Sequence, residues 1–192
     1  MNIADIISAS RIVAAPIFCA IYFLPSSSYV AWCSQKCTLF VLIPLFAIMQ
    51  VSDFLDGYVA RRLHIVSDFG KLFDPFSDVL ANIVVLFCFT VDGYLPYPFF
   101  LIVLYREFGI QMVRLLAVKK GVVIAAKMAG KIKTVLYIST GAACLSLKLA
   151  EVYALEGQLL QCFKLLLIVL YSFAAFFSLF SFVSYVRDYK KI

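Results

Sequence analysis

Charged residues are scarce in this chain. They make up 15% of its 192 residues, whereas about a quarter is usual for a soluble domain. Acidic side chains are the scarcest, with 11 aspartates and glutamates against 17 lysines and arginines. Hydrophobic residues make up 64% of the chain, which is more than one core of this size can bury. Lipid must cover the rest, so the sequence predicts an integral membrane protein.

Three other features are missing. The chain has no zinc finger or other recognised nucleic-acid motif, so its net charge of +6 indicates anionic lipid headgroups and no nucleic-acid partner. It lacks the basic start of a signal peptide, because Asn2 and Asp5 precede Arg11. It also has no polar linker, so residues 1–192 are predicted to form a single domain.

Six apolar stretches are long enough to cross a bilayer. Turn-forming residues follow residue 24 and lie at residues 92–94, 119–121 and 156–158. The predicted fold class is therefore an all-α integral membrane protein with six transmembrane helices in one bundle. The predicted spans are residues 6–24, 38–60, 67–91, 97–118, 132–149 and 159–185.

Basic residues are distributed unevenly around these spans. With a cytoplasmic N-terminus, 11 lysines and arginines fall after the second span, after the fourth span and in the C-terminal tail. The opposite loops hold Lys36 and Lys148. Because basic loops stay in the cytoplasm, we expect a multi-pass protein of the cell (inner) membrane with both termini on the cytoplasmic side.

Aspartates concentrate where the second span ends and the third begins. Asp53 and Asp56 are three residues apart, and Asp74 and Asp78 are four apart, so each pair shares one helix face. A short connection makes the two helices an antiparallel hairpin, whose four carboxylates can converge in a cytoplasm-facing cavity. Such carboxylates repel one another unless a hard divalent cation binds. The pattern predicts Mg²⁺ or Mn²⁺, as two ions, in an arrangement suited to displacement at phosphorus.

Two other interpretations of the aspartates remain open. They could cap helices or pair with Arg61, Arg62 and Lys71, which would account for one or two of the four. A divalent-cation transporter could use them as its ion site, but it predicts polar residues on both sides of the membrane midplane. These acids all lie near one edge of the predicted bundle.

Eight residues of this region resemble the signature of the CDP-alcohol phosphatidyltransferases. They read Asp53-x-x-Asp56-Gly57-x-x-Ala60-Arg61 and, after eight residues, Gly70-x-x-x-Asp74-x-x-x-Asp78. The six predicted spans also resemble that family's architecture. The resemblance implies an enzyme, a CDP-diacylglycerol-dependent transferase that exchanges CMP for an alcohol.

The resemblance also implies roles for these residues. The implied metal ligands are Asp53, Asp56, Asp74 and Asp78, with Asp78 also the catalytic general base. The residues implied to bind the CDP-lipid are Asp53, Gly57, Ala60, Arg61 and Gly70. A homodimer is implied as well.

Three flanking segments resemble the bacterial phosphatidylglycerophosphate synthases of that family: residues 2–11, 106–114 and 130–134. The implied reaction transfers the phosphatidyl group of CDP-diacylglycerol to sn-glycerol 3-phosphate, giving phosphatidylglycerol phosphate and CMP. Asp5 stands where those synthases usually have Asn, and Val79 where they have Lys. The alternative acceptors within the family are inositol phosphate, serine and phosphatidylglycerol.

An acceptor that carries a phosphate group needs basic side chains to bind that phosphate. The candidates for its phosphate are Arg106, Arg114, Lys131 and Lys133, with Arg11 as a possible fifth. The alternative is an internal ion pair with Glu107, which is seven residues from Arg114 and nearly aligned with it on a helix. An arginine inside a span needs such a partner or a ligand.

Overall fold

A computed structural model describes the backbone of residues 3–26, 34–62, 68–121, 128–155 and 157–189. Side chains are described within those ranges except at residues 3–7, 26, 53–62, 68–72, 128–129, 131 and 188. Over the described backbone the chain is helical, with short turns and without a β-strand. The all-α prediction is therefore confirmed for this part of the chain.

The described backbone contains six α-helices, one for each predicted span. Five of them extend at one or both ends beyond the predicted span, since a helix continues into polar residues that cap it or line the membrane surface. The exception is α3, which begins one residue after its predicted span and ends with it. A short 3₁₀ turn, Leu24–Ser26, follows the first helix. The helices are α1 (Ile3–Phe23), α2 (Gln35–Arg62), α3 (Asp68–Val91), α4 (Tyr97–Lys119), α5 (Met128–Val152) and α6 (Gln158–Tyr189).

Glycines end two of these helices. After α3, Gly93 has a φ of +83°, and the Tyr94 N–H donates back to the Phe89 carbonyl at 2.9 Å. After α4, Gly121 has a φ of +76°, and its N–H donates to the Val118 carbonyl at 2.8 Å. Glycine adopts this left-handed conformation at little steric cost. The turns predicted at residues 92–94 and 119–121 are confirmed.

Within the described residues, four helices are long and apolar enough to cross a membrane: α2, α3, α5 and α6. The described side chains of α1 form a shorter apolar stretch, Ser8–Phe23. The α4 helix has the length of a span but carries Arg106, Glu107 and Arg114. The chain is therefore a membrane protein by length and composition, while the six-span bundle stays a prediction.

The chain divides into two compact units. The first comprises Met1–Cys88 with Lys148–Leu155, and the second comprises Phe89–Leu147 with Glu156–Ile192. In the first unit α1 packs against α2, and Phe18 of α1 and Leu42 of α2 are fully buried.

The second unit is built around the contact between α4 and α6. Gly109 of α4 allows this packing, because a Cβ at that position would lie 3.0 Å from the ring of Phe182. On the outer side of α6, Phe173, Phe176 and Phe180 are exposed. Exposed aromatic side chains in such numbers fit a surface that lipid covers.

Candidate active site

The four signature aspartates lie on two helices of the first unit. Asp53 and Asp56 belong to the last third of α2, and Asp74 and Asp78 to the first half of α3. The α2 side chains named by the signature, together with Gly70, lie outside the described side chains. The predicted hairpin connection, residues 62–66, lies mostly outside the described backbone. The structure therefore describes Asp74 and Asp78 directly and leaves the convergence of all four as a prediction.

Two side chains of α1 contact the two described aspartates. The Ser8 hydroxyl donates to Oδ1 of Asp74 at 2.7 Å, and the Arg11 guanidinium forms an ion pair with Oδ1 of Asp78. Ser8 and Arg11 are one turn apart on α1, just as the aspartates are one turn apart on α3. These two contacts are called the α1–α3 ladder below. Because residue numbers rise together along both helices, α1 and α3 run in the same direction.

The two sides of the ladder differ in their access to solvent. Ser8 and Arg11 are buried, at 0% and 2% exposure, whereas the Asp78 side chain keeps 27% of its surface. The donors on α1 are therefore buried, whereas the Asp78 side chain keeps part of its surface exposed. The Asp78 oxygen that Arg11 contacts, Oδ1, is itself buried. Arg11, a candidate for acceptor phosphate by sequence, is placed against the predicted general base.

Polar side chains of α3 support its backbone around the aspartates. The buried Ser77 hydroxyl donates to the Asp74 carbonyl at 2.9 Å. The Asn82 amide donates to the Asp78 carbonyl, also at 2.9 Å. Pro75, which has no N–H, stands inside the helix between the two aspartates. These two bonds go to backbone oxygens and do not involve the carboxylates of Asp74 and Asp78.

The described donors fit a hard divalent cation. Asp74 and Asp78 present carboxylate oxygens one turn apart on a single helix face, and such oxygens are the ligands that Mg²⁺ and Mn²⁺ prefer. Among the described side chains, no group of three or more His, Cys, Asp or Glu residues lies close enough to hold a metal. Asp53 and Asp56, the other two predicted ligands, lie outside that set.

A second group of ionised side chains lies in the other unit. Glu107 of α4 is buried, with 2% exposure. Its Oε1 accepts a hydrogen bond from Nη1 of Arg106 at 2.7 Å and lies 3.3 Å from the Tyr137 hydroxyl, while its Oε2 pairs with Nζ of Lys133. The buried basic cluster, as named here, consists of Arg106, Glu107, Lys133, Tyr137, Ser178 and Ser181.

Arg106 is held by protein partners on both sides. Besides Glu107, its Nε donates to the Ser178 carbonyl at 3.1 Å, and its Nη2 donates to the Ser181 hydroxyl at 2.8 Å. The Tyr137 hydroxyl donates to Oγ of Ser178 at 2.9 Å. Helices α4, α5 and α6 are thus joined through one carboxylate and its partners.

The ion-pair interpretation therefore describes Arg106 and Lys133, but Glu107 pairs differently from the sequence-based expectation. Its partners are Arg106 and Lys133 instead of Arg114. Glu107 and Arg114 are seven residues apart, so about 10 Å of helical rise separates them. Alignment on one face therefore does not bring the two side chains into contact.

Arg114 has few described partners for its donors. Its guanidinium lies 5.8 Å from the centroid of the Tyr185 ring, within the range of a cation–π contact. Its buried Nε has no hydrogen-bond acceptor in the described part of the chain. Lys131, the other candidate at this end of α5, lies outside the described side chains.

Sequence reasoning missed the neutral partners of both groups. Ser8, Ser178 and Ser181 lie inside apolar helices, where a serine hydroxyl commonly bonds to the backbone of its own helix. Tyr137 also lies in an apolar helix, and no local pattern marks its partners. The signal available for Ser8 was its place one turn before an arginine within a predicted span. Asp68, a fifth aspartate of the acidic stretch, is the first residue of α3.

Comparison with known proteins places the chain in a family. The family model described as CDP-alcohol phosphatidyltransferase matches residues 1–183. A protein of Treponema pallidum named "CDP-diacylglycerol--glycerol-3-phosphate 3-phosphatidyltransferase" is 47% identical over 112 residues, which are 58% of this chain and 51% of that protein. One of the same name from Mycoplasma genitalium is 37% identical over 152 residues, 77% of this chain and 64% of that protein.

A Bacillus subtilis protein of the same name is 39% identical over 90 residues, which are 47% of either chain. This chain thus spans about half to two thirds of the length of the curated relatives that it matches. The family model nevertheless covers nearly all of it, including every residue of the signature and of the α1–α3 ladder. The chain belongs to the CDP-alcohol phosphatidyltransferase family.

Proposed function

We propose that this chain transfers the phosphatidyl group of CDP-diacylglycerol to sn-glycerol 3-phosphate. The products are phosphatidylglycerol phosphate and CMP, so the reaction serves the synthesis of anionic phospholipids. One observation carries the proposal: Asp74 and Asp78 stand one turn apart on α3, each anchored from α1, in a chain that matches its family over residues 1–183.

The chemistry is a displacement at phosphorus. The 1-hydroxyl oxygen of the acceptor forms a bond to the lipid-side phosphorus, and the bond from that phosphorus to the CMP oxygen breaks. Asp78 receives the hydroxyl proton, a role that requires a carboxylate with accessible surface. Its 27% exposure supports this role.

Members of this family generally use divalent metal ions. We propose that Asp53, Asp56, Asp74 and Asp78 hold Mg²⁺ or Mn²⁺, with two ions as the expected number. A bound divalent cation supplies positive charge to the diphosphate and acidifies the attacking hydroxyl. The chain contributes the ligand oxygens, and Ser8 fixes the direction of the Asp74 carboxylate.

The CDP moiety is expected to lie beside the small residues of the signature. Gly57, Ala60 and Gly70 leave room for a ligand near the backbone, and Asp53 lies on the same stretch. Arg61 suits a phosphate contact, because its planar guanidinium offers paired donors.

The acceptor phosphate is proposed to bind Arg114 and Lys133, with Lys131 nearby in sequence. The buried Arg114 Nε has no acceptor in the described part of the chain, so an anion can use it. Lys133 has one described hydrogen bond, to Glu107, whereas an ammonium carries three donors. Arg106 already donates to three protein groups, so we assign it to holding α4 against α6.

We also propose the membrane arrangement and assembly that the sequence predicts. All six helices cross the cell (inner) membrane, with both termini and the aspartates on the cytoplasmic side, and two copies associate. The same direction of α1 and α3 supports this topology, because odd-numbered spans of a multi-pass protein run alike.

The purified protein, in lipid nanodiscs with CDP-diacylglycerol and Mg²⁺, tests the proposal. Radiolabelled sn-glycerol 3-phosphate, inositol phosphate, serine and phosphatidylglycerol are offered separately, and both labelled lipid and released CMP are measured. We expect glycerol 3-phosphate to be incorporated with equal molar release of CMP. Incorporation of another acceptor in its place would contradict the choice of acceptor. It would still support phosphatidyl transfer from CDP-diacylglycerol as the reaction class.

A further inference from the structure

The α1–α3 ladder places a buried cation on the carboxylate that is proposed to bind metal. Arg11 is 2% exposed and pairs with Oδ1 of Asp78. A buried arginine without a counter-charge is strongly destabilising, so this ion pair has a clear role in the metal-free protein. The same carboxylate cannot gain a divalent cation without bringing two positive groups close together.

The neutral contact of the ladder has no such conflict. Ser8 donates to Asp74 through a hydroxyl, which carries no charge and therefore does not repel a cation. The two contacts therefore have different electrostatic consequences although they are one turn apart. A charge substitution at Arg11 and a hydroxyl deletion at Ser8 separate these consequences.

We propose that Arg11 is a positioning residue that holds Asp78 as a resident counter-ion and thereby weakens cation binding at the aspartates. This rests on the proposed divalent-cation site. In the metal-free protein Arg11 neutralises Asp78 and keeps its carboxylate in place. In the loaded protein the same charge repels the cation and keeps its affinity moderate.

The magnitude of the effect follows from Coulomb's law. The positive charge of Arg11 and a divalent ion bound at the same carboxylate repel each other. Even at the dielectric constant of water, this repulsion lowers the affinity for the ion about tenfold. The burial of Arg11 makes the change larger, because a buried charge is screened less. Removing the charge while keeping a polar side chain should therefore tighten cation binding, although it disturbs the geometry of the general base.

The test is Mn²⁺ titration of the purified protein in nanodiscs, without substrate, followed by electron paramagnetic resonance. We expect Arg11→Gln to bind Mn²⁺ at least about tenfold more tightly than the original protein. Its turnover with CDP-diacylglycerol and glycerol 3-phosphate should fall in the same preparation. Tighter metal binding with slower turnover is a combination that general misfolding does not produce.

Two further variants keep the test decisive if Arg11→Gln folds poorly. Arg11→Lys retains the positive charge, so its Mn²⁺ affinity should stay within about threefold of the original. Ser8→Ala removes a neutral hydrogen bond and should change that affinity less than about threefold. A tenfold tightening in either variant would overturn the electrostatic cause.

Lys36→Gln is the charge-matched control. Lys36 is exposed at the start of α2, about 25 Å of helical rise from Asp53, which is beyond the screening length at physiological salt. The Lys36→Gln substitution removes one positive charge from the same unit and should leave Mn²⁺ affinity unchanged. An equal tightening in this control would show that net charge, not the Arg11–Asp78 pair, sets the affinity.

Thermal unfolding gives a second readout. Adding EDTA should lower the midpoint of Arg11→Gln more than that of the original, because the original keeps Arg11 as a substitute cation. Unchanged or weaker Mn²⁺ binding in a folded Arg11→Gln protein would refute the inference. That result is independent of which acceptor is used, since the binding measurement contains no substrate.

Discussion

The α1–α3 ladder and the buried basic cluster both hold ionised side chains in apolar helices, but with different numbers of partners. Asp78 has one described ionic partner and 27% exposure. Glu107 has two cationic partners and a tyrosine hydroxyl within reach, at 2% exposure. A carboxylate that remains accessible can react, whereas one enclosed by its own partners stabilises the helices around it.

The basic side chains also differ in how many of their donors have protein partners. Arg106 donates to a carbonyl, a carboxylate and a hydroxyl of its own chain. Arg114 lies against an aromatic ring, with its Nε lacking an acceptor among the described residues. Residue type alone cannot separate a structural arginine from a ligand-binding one, because the distinction lies in how many donors the protein already occupies.

The largest effect is expected at the accessible carboxylate. Asp78→Asn removes the proposed base and one charge of the metal site, so turnover should fall about a thousandfold. Release of CMP measures it. Asp92→Asn, an exposed aspartate in the turn after α3, is the matched control and should stay within about twofold. Turnover retained in Asp78→Asn would refute its role as the base.

The second effect concerns the enclosed carboxylate. Glu107→Gln leaves Arg106 and Lys133 buried without a counter-charge, which costs about 3–5 kcal/mol of stability. For a chain of this length the unfolding midpoint should drop by roughly 10 °C. Unfolding monitored by circular dichroism in nanodiscs measures this drop.

A triple variant serves as its control. Replacing Arg106, Glu107 and Lys133 together by methionine removes every charge of the cluster at once, and apolar replacement of a whole ionic group is far less costly than breaking it. Its midpoint should lie above that of Glu107→Gln. A lower midpoint in the triple variant would show that the cluster contributes net stability.

A smaller effect is expected at the less engaged arginine. Arg114→Gln should raise the KM for glycerol 3-phosphate about tenfold, the value of one charged hydrogen bond, with little change in the KM for the CDP-lipid. Steady-state kinetics with each substrate varied in turn gives both constants. Equal rises in the two constants would assign Arg114 to packing against Tyr185.

The smallest effect is expected at a neutral member of the cluster. Tyr137→Phe deletes the hydroxyl that donates to Ser178 and lies near Glu107, without removing a charge. One such bond contributes about 1 kcal/mol, so the unfolding midpoint should fall by roughly 3 °C. A fall as large as that of Glu107→Gln would mean that the hydroxyl, not the charge, organises the cluster.

Much of the helical organisation could be predicted from sequence. Apolar length and turn residues located all six helices, because both are local properties of the chain. The ends were less well predicted: α5, expected over residues 132–149, covers Met128–Val152. Hydropathy marks where lipid contacts a helix, whereas backbone hydrogen bonding decides where the helix ends.

Only the α3 part of the candidate site could be predicted from the sequence. Spacing along α3 placed Asp74 and Asp78 on one face, since helical geometry fixes that relation. Their partner Ser8 is 66 residues away from Asp74, and no local pattern encodes a contact between distant helices. The expected pairing of Glu107 with Arg114 was not found for the same reason, because the partner Lys133 belongs to another helix, α5.

The partners of α4 also affect how the chain is made. During synthesis α4 emerges before Lys133 of α5 and Ser178 and Ser181 of α6 exist, so its ionised groups then lack most of their final contacts. Each charged residue near the middle of a lone helix costs about 2.5–3.5 kcal/mol on insertion. We therefore expect α4 to enter the bilayer stably only after α5 and α6 follow. Glycosylation mapping of chains truncated after residue 127 measures this, and efficient insertion of α4 in such chains would contradict it.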